Sequence, residues 1–232
     1  MIGAGIQAIV FDKDGTLIDF EGSWASGMQA LLQALTPNDL ATRQTLADAA
    51  GYNQDTGRFL GGSIFVNGTT DDMMQAWQQA VPELDTDAVR LHGEAAFRDL
   101  DPVPLCDLPV VMQGFKSKGI KLGVVTNASE ASTLVQLQKL RCLDVFDKVI
   151  GCDSGFTPKP AGDSILGFCD YVGLKPSQVA MVGDSTHDLN AGRAAGVGLN
   201  VGVLSGPASR DQIADLADVI LNDITELANI FP

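Results

Sequence analysis

The residues of this chain whose types and spacing could do chemistry begin with Asp12 and Asp14. They follow the apolar run Ala8-Ile9-Val10-Phe11, with Lys13 between them and Gly15-Thr16 after them. Side chains of a strand alternate faces, so two acids two residues apart share a side if extended backbone continues through Lys13, and they crowd like charges. Such a pair repels unless a cation or a shared proton neutralises it. A carboxylate nucleophile beside a metal and a neighbouring acid meets that requirement. The same residues also suit a solvated turn after an edge strand, because Asp and Gly are common turn formers.

Further polar groups recur after other apolar runs. Thr126-Asn127 follows Leu122-Gly123-Val124-Val125, and Asp184 to Asp188 follows Val179-Ala180-Met181-Val182-Gly183, while Lys159 sits in the loop Pro158-Lys159-Pro160. Phosphoryl transfer needs donors and cations placed in advance around a group carrying charge on its equatorial oxygens. Thr126 offers a hydroxyl and backbone N–H groups at a helix start, a natural anion site, and Lys159 offers a cation. Asp12 and Asp184 with a backbone carbonyl give the hard oxygen ligands that Mg²⁺ favours, with Asp188 as an outer partner or a further ligand. Singly, each group has an ordinary use: Thr126 and Asn127 as helix caps, Lys159 in solvent, Gly183-Asp184 in a turn. Their joint placement is the specific feature.

The elements that must position these groups follow from hydrophobic period. Residues 6–11, 121–126, 148–151, 178–183, 198–203 and 219–221 read as buried strands. Helices are expected at 107–117, 129–140, 163–172, 189–195 and 210–216. Strands alternating with helices imply an α/β fold, a parallel sheet with helices on both faces, whose sites gather at the carboxyl edge. Residues 20 to about 100 differ. They carry helical patterns, such as Trp24, Met28, Leu31, Leu32 and Leu35, with further helices at 40–50, 70–81 and 87–100 and almost no strand-like runs. This is an all-helical insert whose Met and Trp stripe serves as core. Asp101-Pro102-Val103-Pro104 reads as the return linker.

With 232 residues and 45% hydrophobic content, the chain can bury a sizeable core without staples. A formal net charge of −14 disfavours nucleic acid and anionic membranes, so an anionic substrate must be drawn by local cations or a metal. No apolar run approaches the roughly 20 residues that span a bilayer, and a cytoplasmic location is expected. Cys106, Cys142, Cys152 and Cys169 are widely spaced and lie beside apolar residues, the pattern of buried thiols.

Taken together, Asp12-Lys13-Asp14-Gly15-Thr16, Val124-Val125-Thr126-Asn127, Lys159-Pro160 and Val182-Gly183-Asp184-Ser185 with Asp188 resemble the four-motif signature of the haloacid dehalogenase superfamily. The insert resembles the helical cap of its phosphoglycolate-phosphatase-like branch. The resemblance implies a Rossmann-like core of residues 1–19 and 103–232 and a cap of residues 20–102. It implies that Asp12 attacks phosphorus to form an aspartyl-phosphate. Asp14 would protonate the leaving oxygen and then deprotonate the hydrolytic water. It places Thr126, Asn127, Lys159 and Gly15 in phosphate binding, and assigns Mg²⁺ to Asp12, Asp14 (through its carbonyl), Asp184 and Asp188. Lys13 departs from the pattern, since that position is more often apolar in capped relatives, and His187 is expected to face solvent.

Halide leaves unprotonated, so an acid at Asp14 favours phosphate esters over dehalogenation. Phosphonatases use a cap lysine, and no lysine lies between Lys13 and Lys116. The expected activity is Mg²⁺-dependent hydrolysis of a small phosphate monoester, with 2-phosphoglycolate the family's suggestion. The alternatives are a phosphomutase of the same fold and a non-enzymatic binding or regulatory member. The glycine-rich stretch Gly51 to Ser63 is the candidate specificity loop, and its Arg58 could clamp a substrate anion. The expected partner is a small phosphorylated metabolite, with no nucleic acid or membrane, bound by a monomer or homodimer.

Overall fold

The computed structural model describes residues 3–60, 62–97 and 100–231. Gly61 of the candidate specificity loop and residues 98–99 of the fourth expected insert helix lie outside the described residues. The chain divides into two compact units, one of Phe20–Val103 and one of the flanking segments up to Asp19 and from Pro104 onward.

The flanking unit begins with β1 (Ala8–Phe11) and β2 (Ile18–Asp19). The inserted unit holds α1 (Phe20–Leu35), α2 (Leu40–Ala50), β3 (Tyr52–Asn53), β4 (Arg58–Phe59), α3 (Ile64–Asn67), α4 (Thr70–Ala80) and α5 (Thr86–Phe97). The short β5 (Val103–Pro104) marks the return. Then α6 (Leu108–Ser117), β6 (Lys121–Val125), α7 (Glu130–Lys139), β7 (Lys148–Ile150) and α8 (Asp163–Val172) follow. The chain closes with β8 (Val179–Gly183), α9 (Thr186–Ala195), β9 (Leu199–Val203), α10 (Arg210–Ile213) and β10 (Val219–Leu221).

Six strands form one sheet in the order β10-β9-β8-β1-β6-β7, and every pairing is parallel. β1 is central. Phe11 stands level with Val124 of β6 on one side and Val182 of β8 on the other, so Asp12, Thr126 and Asp184 all fall just past the same edge. Chain order reverses across β1, and an α/β sheet binds its ligands at such a switch point.

The alternation of β1 explains its position. Ile9 and Phe11 enter a cluster with Leu108, Met112 and Phe115 on the α6 side, while Ala8 and Val10 enter another with Ile165, Phe168 and Ala191 on the α8 and α9 side. A strand buried on both faces has no polar phase, as parallel sheets require. Its first polar residues therefore mark its end.

The inserted unit has its own core, built from Trp24, Met28, Leu31, Leu46, Met73 and Trp77. The Trp77 indole N–H donates to the Leu46 carbonyl at 2.9 Å, which satisfies its buried polar atom. The unit is not wholly helical. Tyr52–Asn53 pairs antiparallel with Arg58–Phe59, and the stretch expected as a loop folds into this ribbon followed by the single-turn α3. Two-residue strands leave too short an alternation to read from sequence.

Helix limits also differ from the expected ones. α9 starts at Thr186, because Ser185 and Asp188 close a capping box that draws residues 186–188 into the first turn. His187 is accordingly half-buried on a helix and not on an open loop. α10 ends at Ile213, where residues up to Leu216 continue as turns. α7 starts at Glu130, three residues after Asn127. The four cysteines are free thiols, Cys142 and Cys169 buried and Cys106 and Cys152 half-buried. Among the described residues no helix is long and apolar enough to cross a membrane.

Candidate active site

Past the carboxyl edge of β1 and β8, the Lys159 ammonium lies 2.5 Å from Asp12 Oδ1 and 2.5 Å from Asp188 Oδ1. All three side chains are almost fully buried. A buried ammonium is costly unless paired, and here two carboxylates pair it. Burial alone would lower the Lys159 pKa, but Asp12 and Asp188 outweigh it and keep the amine protonated. Burial pushes Asp12 up to about 7, a rise that Lys159 opposes and Asp188 reinforces. Asp184 is also raised well above the ordinary range, first by burial and then by Asp188 and Asp12.

Burial leads both rises, and the like charges of neighbouring carboxylates add to them. Asp12, Asp184 and Asp188 bring carboxylate oxygens within 4.8 Å of one another. With all three ionised, three carboxylates against one ammonium would leave two negative charges uncompensated. Asp184 Oδ2 is buried without a hydrogen-bond partner among the described residues, while its Oδ1 accepts from the Thr16 hydroxyl at 3.3 Å. A cluster of hard oxygens, a charge deficit of two and an orphaned carboxylate oxygen fit a divalent cation such as Mg²⁺. Two glycines make the room. A Cβ at Gly15 would come within 2.7 Å of the Asp184 carboxylate, and one at Gly206 would land on it.

Asp188 is held from two sides. Its Oδ2 accepts from the Ser185 N–H at 3.0 Å and the Ser185 hydroxyl at 2.6 Å, so the helix cap that starts α9 also fixes a site carboxylate.

The chain does not continue extended through Lys13 but enters a turn after β1. The Lys13 carbonyl accepts from Leu17 N–H at 2.8 Å and Ile18 N–H at 3.0 Å, and Gly15 takes φ +87°, a left-handed value that suits glycine. The chain therefore curls, and the two acids take separate cations. Asp12 pairs with Lys159, whereas the Asp14 carboxylate pairs with Lys13 and stands outside the three-acid cluster. Lys13 is 1% exposed, and its Nζ also donates to Gln136 Oε1 of α7 at 2.7 Å.

Three of the phosphate-binding expectations change in detail. Gly15 does not present its N–H, which donates to the Ile18 carbonyl at 2.8 Å; the glycine supplies the turn and the space beside Asp184. The Asn127 side chain is engaged elsewhere: its Nδ2 donates to the Lys159 carbonyl at 3.0 Å and its Oδ1 accepts from the Lys159 N–H at 3.0 Å. Thr126 is not at a helix start. Its N–H donates to the Ile150 carbonyl at 3.0 Å, extending the sheet, and the first N–H of α7, at Glu130, donates to Asp153 Oδ1 at 2.7 Å. What Thr126 retains is a buried hydroxyl whose oxygen accepts from Ala128 N–H at 3.1 Å.

In the inserted unit, Arg58 Nε donates to both oxygens of Glu21, at 3.2 and 3.0 Å, with its side chain 72% exposed.

Sequence reasoning passed over Ser205 and Gly206. They follow β9 at the same sheet edge; the Ser205 hydroxyl donates to the Gly15 carbonyl at 2.7 Å, and Gly206 borders Asp184. Their position after another buried apolar strand was the available signal.

A family model described as haloacid dehalogenase-like hydrolase matches residues 9–201. A phosphoglycolate phosphatase of Escherichia coli (strain K12) is 28% identical over 240 residues, covering 96% of this chain and 91% of its own. One of Aquifex aeolicus is 26% identical over 198 residues, covering 82% of each. Among solved structures, a predicted phosphoglycolate phosphatase from Haemophilus somnus superposes with a TM-score of 0.76 at 23% identity, over 99% of both chains.

Proposed function

Because the chain belongs to the haloacid dehalogenase-like hydrolase family, we propose that it is a phosphatase that hydrolyses a small phosphate monoester through a phosphoryl group carried on Asp12. The observation that carries the proposal is the Lys159 ammonium held between Asp12 and Asp188 beside the unpartnered oxygen of Asp184. Asp12 is the nucleophile, and Lys159 fixes the direction of its carboxylate. The Thr126 hydroxyl donates to a phosphoryl oxygen, and Lys159 offsets the charge that develops there. Asp14 gives a proton to the leaving oxygen and then takes one from the water that frees Asp12.

Asp12, Asp184 and Asp188, with the Asp14 carbonyl, are the groups that would hold Mg²⁺. When bound, the ion supplies the positive charge this cluster lacks and polarises the phosphoryl group. A proton donor at Asp14 serves an ester oxygen and has no use for a halide, which favours the phosphatase over a dehalogenase.

We assign the Phe20–Val103 unit as the cap that sets specificity and keep Arg58 as its candidate contact for a second anionic group. An incoming anion meets Glu21 already on the Arg58 Nε. The relatives named as phosphoglycolate phosphatases place carboxylated phosphate esters first among substrates to try.

The test is phosphate release from a panel of phosphate monoesters with Mg²⁺ present. Chelation of the metal should abolish it, and Asp12→Asn should lower kcat by about a hundredfold or more. Activity that survives either change overturns the mechanism. In the same panel, Arg58→Ala should lower kcat/KM for carboxylated esters relative to neutral ones, and an unchanged ratio removes Arg58 from the site.

A further inference from the structure

Lys13 is a buried ammonium to which the proposed reaction gives no task. Most lysines lie in solvent, and enclosing one requires partners fixed in place before the charge arrives. Here the partners include Asp14 Oδ2, in an ion pair, and Gln136 Oε1 on α7. The main chain at the same residue is equally constrained, since the Lys13 carbonyl is the acceptor around which the turn to Ile18 closes. The side chain thus runs from the pivot of the turn to α7. Asp14, by contrast, keeps 14% of its side chain exposed and lies on a tight loop. A carboxylate so placed would sample several rotamers unless something held one of its oxygens.

We infer that Lys13 is a positioning residue: braced by Gln136, it holds Asp14 Oδ2 and sets the angle at which the Asp14 carboxyl exchanges protons with the leaving and attacking oxygens. The inference rests on the acid-base role proposed for Asp14. In the first step an Asp12 oxygen bonds to phosphorus and the P–O bond to the leaving group breaks. Its electron pair stays on the leaving oxygen, which takes the Asp14 proton. In the second, a water oxygen bonds to phosphorus, the P–O bond to Asp12 breaks to return the carboxylate, and the proton lost by water goes to Asp14. Both transfers need the same carboxyl in the same place, within hydrogen-bond reach of the oxygen it serves.

The leaving group reads this out. A nitrophenolate departs without a proton, whereas an alkoxide does not. The experiment compares kcat/KM for p-nitrophenyl phosphate and for an alkyl phosphate that the wild type hydrolyses, in wild type, Lys13→Met, Gln136→Leu and Asp14→Asn. The alkyl-to-aryl ratio is expected to fall about tenfold or more in Lys13→Met and about threefold in Gln136→Leu, against a larger fall in Asp14→Asn. A lysine that served only the fold would lower both activities together. A wild-type ratio in folded Lys13→Met, checked by circular dichroism, overturns the inference. If Lys13→Met does not fold, Gln136→Leu decides, and a wild-type ratio there overturns it. A wild-type ratio in Asp14→Asn overturns the acid-base reading itself, while a shift there without one in the Lys13 and Gln136 variants overturns only the role of Lys13.

Discussion

The Asn127 carboxamide accepts from the Lys159 N–H and donates to the Lys159 carbonyl, so both of its ends hold the backbone of the residue that bridges Asp12 and Asp188. It serves the site through Lys159. Asn127→Ala removes two buried hydrogen bonds and should cost about 1–3 kcal/mol of stability. A displaced Lys159 should also lower kcat/KM by about tenfold, since small misplacements at a reacting centre are expensive. Urea unfolding and steady-state kinetics check the pair; unchanged stability would show that the clamp holds nothing. Residues such as this one mark where the sequence stops being informative. Asp12, Asp184, Asp188 and Lys159 could be brought together on paper, because three of them end or follow a buried strand and the fourth lies in a loop beside one. Whether Asn127 faces a ligand or a neighbouring backbone, and whether Lys13 faces solvent or Asp14, depends on how loops close. Hydrophobic period carries no information about that.

Strand and helix types were legible because burial repeats with a period, and β1 and β8 are apolar along their whole length, as is β6 after Lys121. Their limits were less so. α9 begins three residues early because Ser185 and Asp188 cap it, and the Tyr52–Phe59 ribbon is too short to show alternation. The joint between β6 and β7 illustrates what fixes one strand against another. Asp147 donates its N–H to the Leu122 carbonyl at 2.7 Å and accepts from the Leu122 N–H and from Lys116 Nζ, both at 2.8 Å. Burial alone would raise its pKa, but the Lys116 and Leu122 bonds outweigh burial and hold it below the ordinary value. A carboxyl whose pKa is lower in the folded chain adds stability above its unfolded pKa and loses that contribution as pH falls through the folded one. Asp147→Asn should therefore be less stable than wild type by about 1–2 kcal/mol at pH 7. The gap should narrow below about pH 4, the range of an ordinary aspartate. Urea unfolding at pH 7 and pH 3 measures it, and a gap that is the same at both pH values would assign the loss to shape and not to charge.

At the scale of the molecule, three hydrophobic clusters belong to two stretches of chain, two of them to the stretch that the other interrupts. The interrupted stretch closes on itself, since the Leu105 N–H donates to the Leu17 carbonyl at 3.1 Å on either side of the insertion. A short flexible linker in place of residues 20–103 should therefore leave an α/β unit that unfolds cooperatively, because closing a short loop there costs little. Circular dichroism with thermal melting tests this; a chain without a cooperative transition would show that the sheet depends on the insert for its stability. The central place of β1 in the sheet bears on how the protein comes to be made. Its two neighbours, β6 and β8, are encoded far downstream, with the whole helical unit between. During synthesis the helical unit can complete its own core while the first strand, apolar on both faces, still has nothing to pair with. The central strand of the sheet is thus the first to leave the ribosome, and the contacts that finally shelter it are long-range ones of the kind that form slowly.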